Sequence, residues 1–244
     1  MAIWIVLSFL PFAILFLIWQ ELYAGQSEVH GYTLSDITAY YLVGIIITNL
    51  TDVHFEGWRS EEIRLGRIDH FLLKPYHYLV DVFLGETVGK SLYALMFTVP
   101  YAVFIAWSAT TANLILPSIT ATAIGAFLLL LLSAYIMQCC VGMLITLLTF
   151  WFEGAQGLEQ FKWLTITVLS GSLMPMEFLP SWLQSLTAAL PFKYLYAVPI
   201  NVLLGRSTVQ TTDLAYSAAT LTALLFLVHI VWKRGIAKYA SVGG

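Results

Sequence analysis

The segment from Gly85 to Ser91 reads Gly-Glu-Thr-Val-Gly-Lys-Ser and comes close to a phosphate-binding loop. That loop has four residues between its two glycines, so that its backbone N–H groups can curve around a phosphate. Here three residues separate Gly85 from Gly89, and Leu84 stands where the first glycine belongs. No strand of a soluble domain precedes the segment. We therefore do not expect a nucleotide to bind there.

Two pairs of ionisable residues lie inside or at the end of apolar segments, where charges are costly and often functional. Glu86 and Lys90 are four residues apart, a spacing at which they can neutralise one another on a helix. We favour such a structural pair over an ion pathway. Asp52 and His54 close an apolar segment, and snorkelling or contact with a partner explains them adequately.

The other residues that bind metals or act as nucleophiles are scattered. The five histidines have no ligand spacing, and no Ser-His-Asp or paired-carboxylate arrangement converges in one segment. Cys139 and Cys140 are adjacent in an apolar run, which is typical of buried thiols. We expect no catalytic residue, no metal site and no bound cofactor in this chain, and an enzyme is the least favoured function.

The composition identifies the elements that must position these residues. Of 244 residues, 59% are hydrophobic and 10% are charged, whereas soluble domains are about 25% charged. A soluble fold of this length has no core large enough for so much apolar surface, but a lipid bilayer solvates it. The net charge of −3 gives no indication of a nucleic-acid partner. We predict an all-α, polytopic membrane protein surrounded by membrane lipids.

Six apolar stretches approach or exceed the roughly 20 residues that a spanning helix needs. They form one transmembrane domain over residues 1–244 and cover about 2–24, 36–54, 78–108, 117–149, 162–178 and 212–232. No basic residue precedes the first stretch and no clear cleavage site follows it. We therefore expect a retained helix there and not a signal peptide.

The distribution of basic residues predicts the orientation of these spans. Eight Lys and Arg residues fall in the loops after the second and fourth spans and in the tail after the sixth. Two, Lys193 and Arg206, fall in the loops on the other side. Since cytoplasmic loops are enriched in Lys and Arg, we expect both termini in the cytoplasm.

The loop 57–75 combines an apolar and a charged face. Trp58, Leu65, Ile68 and Leu72 share one face at helical spacing, and Pro75 ends any helix before the third span. Such a segment lies on the membrane surface, docks into a groove on a partner protein, or is an ordinary anchored loop. The residues themselves leave these three interpretations open.

The stretch 175–205 is punctuated by prolines at Pro175, Pro180, Pro191 and Pro199. The apolar runs between them are too short to span a bilayer. We expect re-entrant or interfacial helices on the outer side, because irregular backbone at membrane depth needs protein or a water-filled cavity around it. A gate and a structural cap are both compatible with this pattern, and the cap is slightly favoured.

Two sequence motifs, one after the other along the chain, resemble those of permeases of the second superfamily of ATP-binding-cassette (ABC) exporters. The resemblance covers roughly residues 19–234. The first motif comprises Arg64, Gly66, Ile68, Asp69, Leu72, Leu73, Lys74 and Pro75. The second comprises Leu169 to Pro175, Phe178 to Trp182, Pro191-Phe192, Pro199 and Gly205.

The resemblance implies that the chain is a permease subunit of the inner (plasma) membrane. Such permeases act in pairs, with a second copy or a related permease, and bind a dimer of cytoplasmic ABC ATPases that holds ATP and Mg. A coupling helix between spans two and three contacts the ATPase. Carried over to this sequence, the contact residues are Trp58, Arg64, Gly66, Arg67, Asp69 and Lys74, together with Glu153 and Glu159 of the second inner loop.

The resemblance also implies that substrate passes between the two permeases. The outer end of that path is closed by a segment that includes Pro175, Pro180, Trp182, Pro191 and Phe192. One feature departs from the family, whose members usually begin with a basic amphipathic helix. Here Met1 is followed at once by apolar residues, which leaves anchoring at the inner surface open.

The alternative function is a stand-alone secondary transporter or channel. Such proteins carry polar or charged residues near the centres of their spans. The spans of this chain are poor in them, which lowers this interpretation.

Overall fold

The computed structural model describes residues 10–111, 120–152, 156–208 and 210–239. These residues form α-helices and two short 3-10 turns, and no strand occurs among them. The helices are α1 (Leu10–Leu22), α2 (Leu34–Thr51), α3 (Glu56–Arg64), α4 (Asp69–Leu72), α5 (Tyr78–Thr111), α6 (Ala121–Leu148), α7 (Gln156–Leu169), α8 (Ser181–Ala189), α9 (Ala197–Leu203) and α10 (Thr211–Lys238). The prediction of an all-α protein is confirmed for this part of the chain.

Four helical stretches of the described chain are long and apolar enough to cross a membrane. They are Leu34–Arg64, Tyr78–Val103, Ala121–Leu148 and Thr211–Lys238. Within the described residues, α1 has 13 residues and α7 has 14, fewer than the roughly 20 that a crossing needs; residues 2–9 of the first predicted span lie outside the described part of the chain. The structure thus has four membrane-length helices in the described residues where the sequence predicts six spans.

The fifth predicted span, 162–178, differs most from the structure. The helix α7 starts earlier, at Gln156, and ends at Leu169. Gly171 then adopts a φ of +88°, a conformation that side-chain-bearing residues rarely adopt. The apolar composition continues to residue 178, but the helix does not.

The predicted coupling segment, 57–75, is two short helices and not one. Gly66 lies between α3 and α4 with a φ of +73°, which ends the first helix in the manner of a C-terminal glycine. The predicted 175–205 segment contains α8 and α9. It also contains the 3-10 turns Met176–Phe178 and Pro191–Leu195.

The start of α2 shows how local sequence fixes a helix end. The hydroxyl of Thr33 accepts a hydrogen bond from the Asp36 backbone N–H at 3.2 Å. The Asp36 carboxylate accepts one from the Thr33 N–H at 2.9 Å. This capping box satisfies two backbone donors that a helix leaves without partners, and it places a negative charge at the positive end of the helix dipole.

The helix α6 lies at the centre of the bundle and packs against α2, α3, α7, α9 and α10. One buried cluster joins Phe55, Tyr78, Leu147 and Trp232, with the rings of Tyr78 and Trp232 stacked at 5.3 Å. It therefore brings together the ends of α6 and α10 and the starts of α3 and α5. We call this end of the bundle the α3 end and the opposite end the far end.

The helices α5 and α10 turn much of their apolar surface outward. Only 6% and 11% of their membrane-length windows are buried within the chain. Large side chains such as Leu84, Leu92 and Phe226 are more than half exposed. Because a soluble monomer rarely exposes such continuous apolar surface, these two helices are built to face lipid or other apolar helices.

Candidate functional site

Arg59 anchors α3 to the start of α5. Its side chain is 8% exposed, and its guanidinium pairs with Glu62 at 2.8 Å and with Asp81 at 3.6 Å. The same group lies 4.5 Å from the ring centroid of Trp58 and 5.6 Å from that of Phe71. One buried cation thus holds α3, α4 and α5 together through ion pairs and cation–π contacts.

A second buried ion pair joins α3 to α7. The ammonium group of Lys162 donates a hydrogen bond to the Glu56 carboxylate and another, at 2.8 Å, to the carbonyl oxygen of Val53. The two side chains are 3% and 0% exposed. A buried charge is tolerated only when it is paired and hydrogen-bonded, so α7 and the start of α3 are fixed to each other at this point.

Gly142 on α6 makes room for this pair. A Cβ atom added there would lie 2.7 Å from Oε1 of Glu56 and 3.1 Å from the Phe55 ring. The carboxylate therefore sits directly on the backbone of α6. The buried ion pair is a junction of three helices, α3, α6 and α7.

The outward side of α3 and α4 forms a mixed basic and apolar surface. Arg64 and Arg67 are exposed, and the exposed apolar members include Trp58 at 54% and Leu73 at 88%. We call Trp58, Arg64, Leu65, Arg67, Leu72 and Leu73 the docking face. The predicted apolar face of this segment is divided. Ile68 is 0% exposed and packs into the core, whereas Trp58, Leu65 and Leu72 face outward.

Three predicted contact residues, Trp58, Arg64 and Arg67, belong to the docking face, and the other three lie beside it. Arg64 makes a two-pronged ion pair with Glu61, at 2.8 and 2.6 Å. Asp69 begins α4, and the ammonium group of Lys74 lies 4.4 Å from the Phe71 ring centroid. Gly66 forms the bend between the two helices. All six predicted residues of the 57–75 segment therefore lie at the α3 end.

The two predicted contact residues of the second inner loop have different outcomes. Glu159 lies in the first turn of α7, and its carboxylate is 3.1 Å from the position of a Cβ added at Gly57. It therefore lies against α3. Glu153 lies outside the described residues.

Residues that sequence reasoning did not select, Glu56, Arg59 and Lys162, hold this site together. Lys162 is a lone cation at the start of the predicted fifth span, and that isolation is the signal that could have identified it. Arg59 precedes Glu62 by three residues, the spacing of a helical ion pair. For Glu56 the sequence offers no comparable signal.

A polar crevice adjoins the buried ion pair along α2. Two cavities of about 450 and 70 Å³ share Thr48 and Asp52 as lining residues, and Lys162 lines the smaller one. Lys90 donates to the backbone carbonyl of Asp52, and His54 pairs with the Asp52 carboxylate at 3.0 Å. The expected ion pair between Glu86 and Lys90 is not among the salt bridges of the described residues, so Lys90 caps the end of α2 instead.

Two tyrosines of α2 hold the irregular backbone that follows α7. The hydroxyl of Tyr40 donates to the Gly171 carbonyl at 2.8 Å, and that of Tyr41 donates to the Leu173 carbonyl at 2.7 Å. The Ala197 N–H donates to the carbonyl of Ser170 at 3.0 Å. Tyr40 lies about two turns into α2. The non-helical segment therefore lies about two helical turns inside the bundle, measured from the far end, where α2 begins.

The five predicted gate residues do not share one environment. Pro175 is buried, Pro191 and Phe192 are half-buried, and Pro180 and Trp182 are exposed. Trp182, 68% exposed, lies on the outward surface of α8. The prolines thus shape the turns of this segment, while Trp182 is its most accessible aromatic side chain among the five.

A polar cluster closes the far end. Arg206 pairs with Asp36 at 3.3 Å and lies 3.7 Å above the ring of Tyr32, whose hydroxyl donates to Glu177 at 3.0 Å. Burial, and secondly the charge of Glu177, raises the pKa of Tyr32, so its hydroxyl remains a donor. The cluster ties the loop before α2 to the turn before α8 and to the end of α9.

Comparison with known proteins gives one match. A model described as ABC-2 family transporter protein matches residues 9–243. No curated protein and no solved structure matches the chain. Among the described residues, no group of three or more His, Cys, Asp and Glu side chains is placed to hold a metal ion.

Proposed function

Because the chain belongs to the ABC-2 family of transporter proteins, we propose that it is the permease subunit of an ABC exporter driven by a separate cytoplasmic ATPase. In this proposal the permease pairs with a second permease, either another copy or a related chain. Substrate passes between the two, and ATP and Mg bind to the ATPase dimer. The protein resides in the inner (plasma) membrane.

The observation that carries this proposal is the docking face on firmly anchored short helices. The side of α3 and α4 turned toward the protein is fixed by Arg59, Ile63 and Ile68, which are all buried. The opposite side offers exposed basic and apolar groups. A short helix that is rigid behind and exposed in front suits insertion into a groove on a partner protein.

The junction at Glu56 and Lys162 supplies a route from the docking face into the membrane. A displacement of α3 acts on α7 through this buried ion pair, and α7 leads into the segment held by Tyr40 and Tyr41. Coupling between distant sites travels through such contiguous contacts when the connected elements have two arrangements. We propose that ATPase closure moves α3, and that α7 transmits the movement to the far end.

We place α1 and α7 as the first and fifth of six crossings. Support for α7 comes from two contacts: Lys162, in the middle of the helix, contacts Glu56 at the α3 end, and the carbonyl of Ser170, directly after the helix, accepts from Ala197 in the opposite half of the bundle. The segment after it is short for a full crossing, and we propose that it is re-entrant. The tyrosine hydroxyls that satisfy its carbonyl groups support this, since backbone at membrane depth needs partners.

The α3 end is placed in the cytoplasm, with both termini. Eight basic residues support this side: Arg59, Arg64, Arg67, Lys74, Lys162, Lys233, Arg234 and Lys238. The segment with Pro175, Pro180, Trp182, Pro191 and Phe192 then closes the outer end of the path, as a cap that opens when α7 moves.

The experiment that tests the proposal is reconstitution with and without a candidate ABC ATPase from the same organism. We expect the two proteins to purify as a complex, and ATP-dependent export from liposomes to require both. Transport by the permease alone, unaffected by ATP, would contradict the proposal and support a stand-alone transporter or channel.

A further inference from the structure

An apolar groove lies on the outward surface of the bundle between α5, α6 and α10. Its volume is about 470 Å³. Its floor is buried and includes Cys140, Met143 and Val228, and its walls include Val80 and Leu225, which are about half exposed. The groove therefore opens sideways, toward whatever surrounds the bundle.

The groove lies near the α3 end of the membrane-length helices. Val80 is in the first turn of α5, which begins at that end. On α10, the lining residues Val228 and His229 lie about one turn before Trp232, whose ring stacks on Tyr78 at the α3 end. In the proposed orientation this depth corresponds to the inner leaflet.

Three cationic or titratable groups stand in order from the groove toward the α3 end. His229 lines the groove, and Lys233 follows it by four residues on the same face of α10. His77, also a lining residue, precedes α5 and accepts the Leu79 N–H at its Nδ1 atom. A neutral imidazole with Nδ1 as acceptor carries its proton on Nε2, so His77 offers a donor there.

We propose that this groove binds one acyl chain of a phospholipid with an anionic headgroup. The apolar floor takes the chain, His229 reaches the ester region, and His77 with Lys233 meets the phosphate. The order of the protein groups thus matches the order of chain, ester and phosphate along a phospholipid. Charge complementarity favours a lipid over the apolar helix of a partner, which would leave these polar groups without partners.

The test compares binding of phosphatidylglycerol and phosphatidylcholine to the purified full-length protein by native mass spectrometry. We expect the wild type to retain one phosphatidylglycerol per chain, with at least about fivefold preference over phosphatidylcholine, because the trimethylammonium group of phosphatidylcholine offsets the phosphate charge that Lys233 meets. Equal retention of the two lipids would overturn the proposal.

Two groove-filling variants, Leu225→Trp and Val80→Trp, test the position of the acyl chain. The matched control is Leu92→Trp, since Leu92 is 61% exposed on α5 and is not a lining residue of this groove. We expect either filling variant to lose the retained lipid and the control to keep it. Loss in all three, or in none, would mean that the lipid is bound without regard to the groove.

The headgroup contact is tested with Lys233→Gln. We expect the preference for phosphatidylglycerol to fall about fivefold, while Arg234→Gln, which removes an exposed charge from the adjacent face of α10, leaves it unchanged. The same spectra report the oligomeric state. A loss of dimer, with no loss of lipid, in Leu225→Trp would show that a second chain fills the groove and would overturn the proposal.

Discussion

Lys162 on α7 and Glu56 on α3 form a buried ion pair between residues that are 106 positions apart in the chain. Both charges are removed from solvent, and Lys162 makes a further hydrogen bond to the Val53 carbonyl. Removing one partner of such a pair leaves an uncompensated buried charge, which costs more than losing the attraction itself. The pair is therefore a sensitive point of both the fold and the proposed coupling.

The variant Lys162→Met is expected to lower the free energy of unfolding by about 3–5 kcal/mol, since it leaves the Glu56 carboxylate buried without a partner. The measurement is thermal unfolding in detergent. The double variant Glu56→Gln with Lys162→Met should recover much of the loss. Arg64→Met, which breaks the exposed pair with Glu61, is the control and should change stability by less than about 1 kcal/mol. Equal losses of stability in Lys162→Met and Arg64→Met would contradict this account.

The variant Gly142→Ala is expected to destabilise the protein by about 1–3 kcal/mol. Its methyl group would meet Glu56 Oε1 at 2.7 Å and displace the carboxylate from Lys162. Gly125→Ala is a matched control on the same helix, because nothing lies within 4 Å of its added Cβ. The control should be neutral or stabilising by about 0.5–1 kcal/mol, since alanine favours helix more than glycine does. Thermal unfolding of Gly142→Ala and Gly125→Ala, measured side by side, tests whether only the first variant is destabilised.

Four of the six predicted spans correspond to helices whose bounds follow the apolar runs closely, namely α2, α5, α6 and α10. Their length alone identifies them, because a bilayer crossing demands about 20 apolar residues. The predicted bounds of the fifth span, 162–178, were wrong because an apolar composition does not reveal that the helix ends before Gly171. A left-handed glycine and a tyrosine 131 positions away together set that end.

The sequence likewise identifies some residues of the candidate site and not others. The segment 57–75 was identifiable because its charges and Pro75 interrupt the apolar pattern. The burial of Arg59 depends on tertiary contacts with α5, such as its ion pair with Asp81, whereas Gly66 ends α3 through local backbone hydrogen bonds. The pairing of Glu56 with Lys162 joins distant segments, and no local periodicity records it.

The variants Tyr40→Phe and Tyr41→Phe are expected to loosen the segment after α7. Each removes a hydroxyl donor from a backbone carbonyl; the bond of Tyr40 to Gly171 is buried, and an unsatisfied buried acceptor costs about 1–3 kcal/mol. We expect faster hydrogen–deuterium exchange in peptides covering residues 170–197. Tyr216→Phe is the control, since that ring is 67% exposed on α10. Unchanged exchange in both α2 variants would show that these bonds do not hold the segment.

The variant Arg67→Glu is expected to abolish stimulation of the partner ATPase while leaving the permease folded. Arg67 is exposed on the docking face, so reversing its charge perturbs a contact surface and not the core. Surface charge changes of this kind usually alter stability by less than about 0.5 kcal/mol. Arg234→Glu makes the same change on an exposed residue of α10 and should preserve stimulation. A stimulated Arg67→Glu complex would remove this residue from the contact.

Cysteine labelling tests the orientation on which coupling depends. The native thiols of Cys139 and Cys140 are buried, at 2% and 5% exposure, so the wild type should react little with a membrane-impermeant maleimide. Leu73→Cys on the docking face and Trp182→Cys on α8 replace side chains that are 88% and 68% exposed. In intact cells we expect Trp182→Cys alone to be labelled, and in inverted vesicles Leu73→Cys alone. Labelling of both positions from the same side would contradict the proposed orientation. A docking face on the outside of the cell could not contact an ATPase in the cytoplasm.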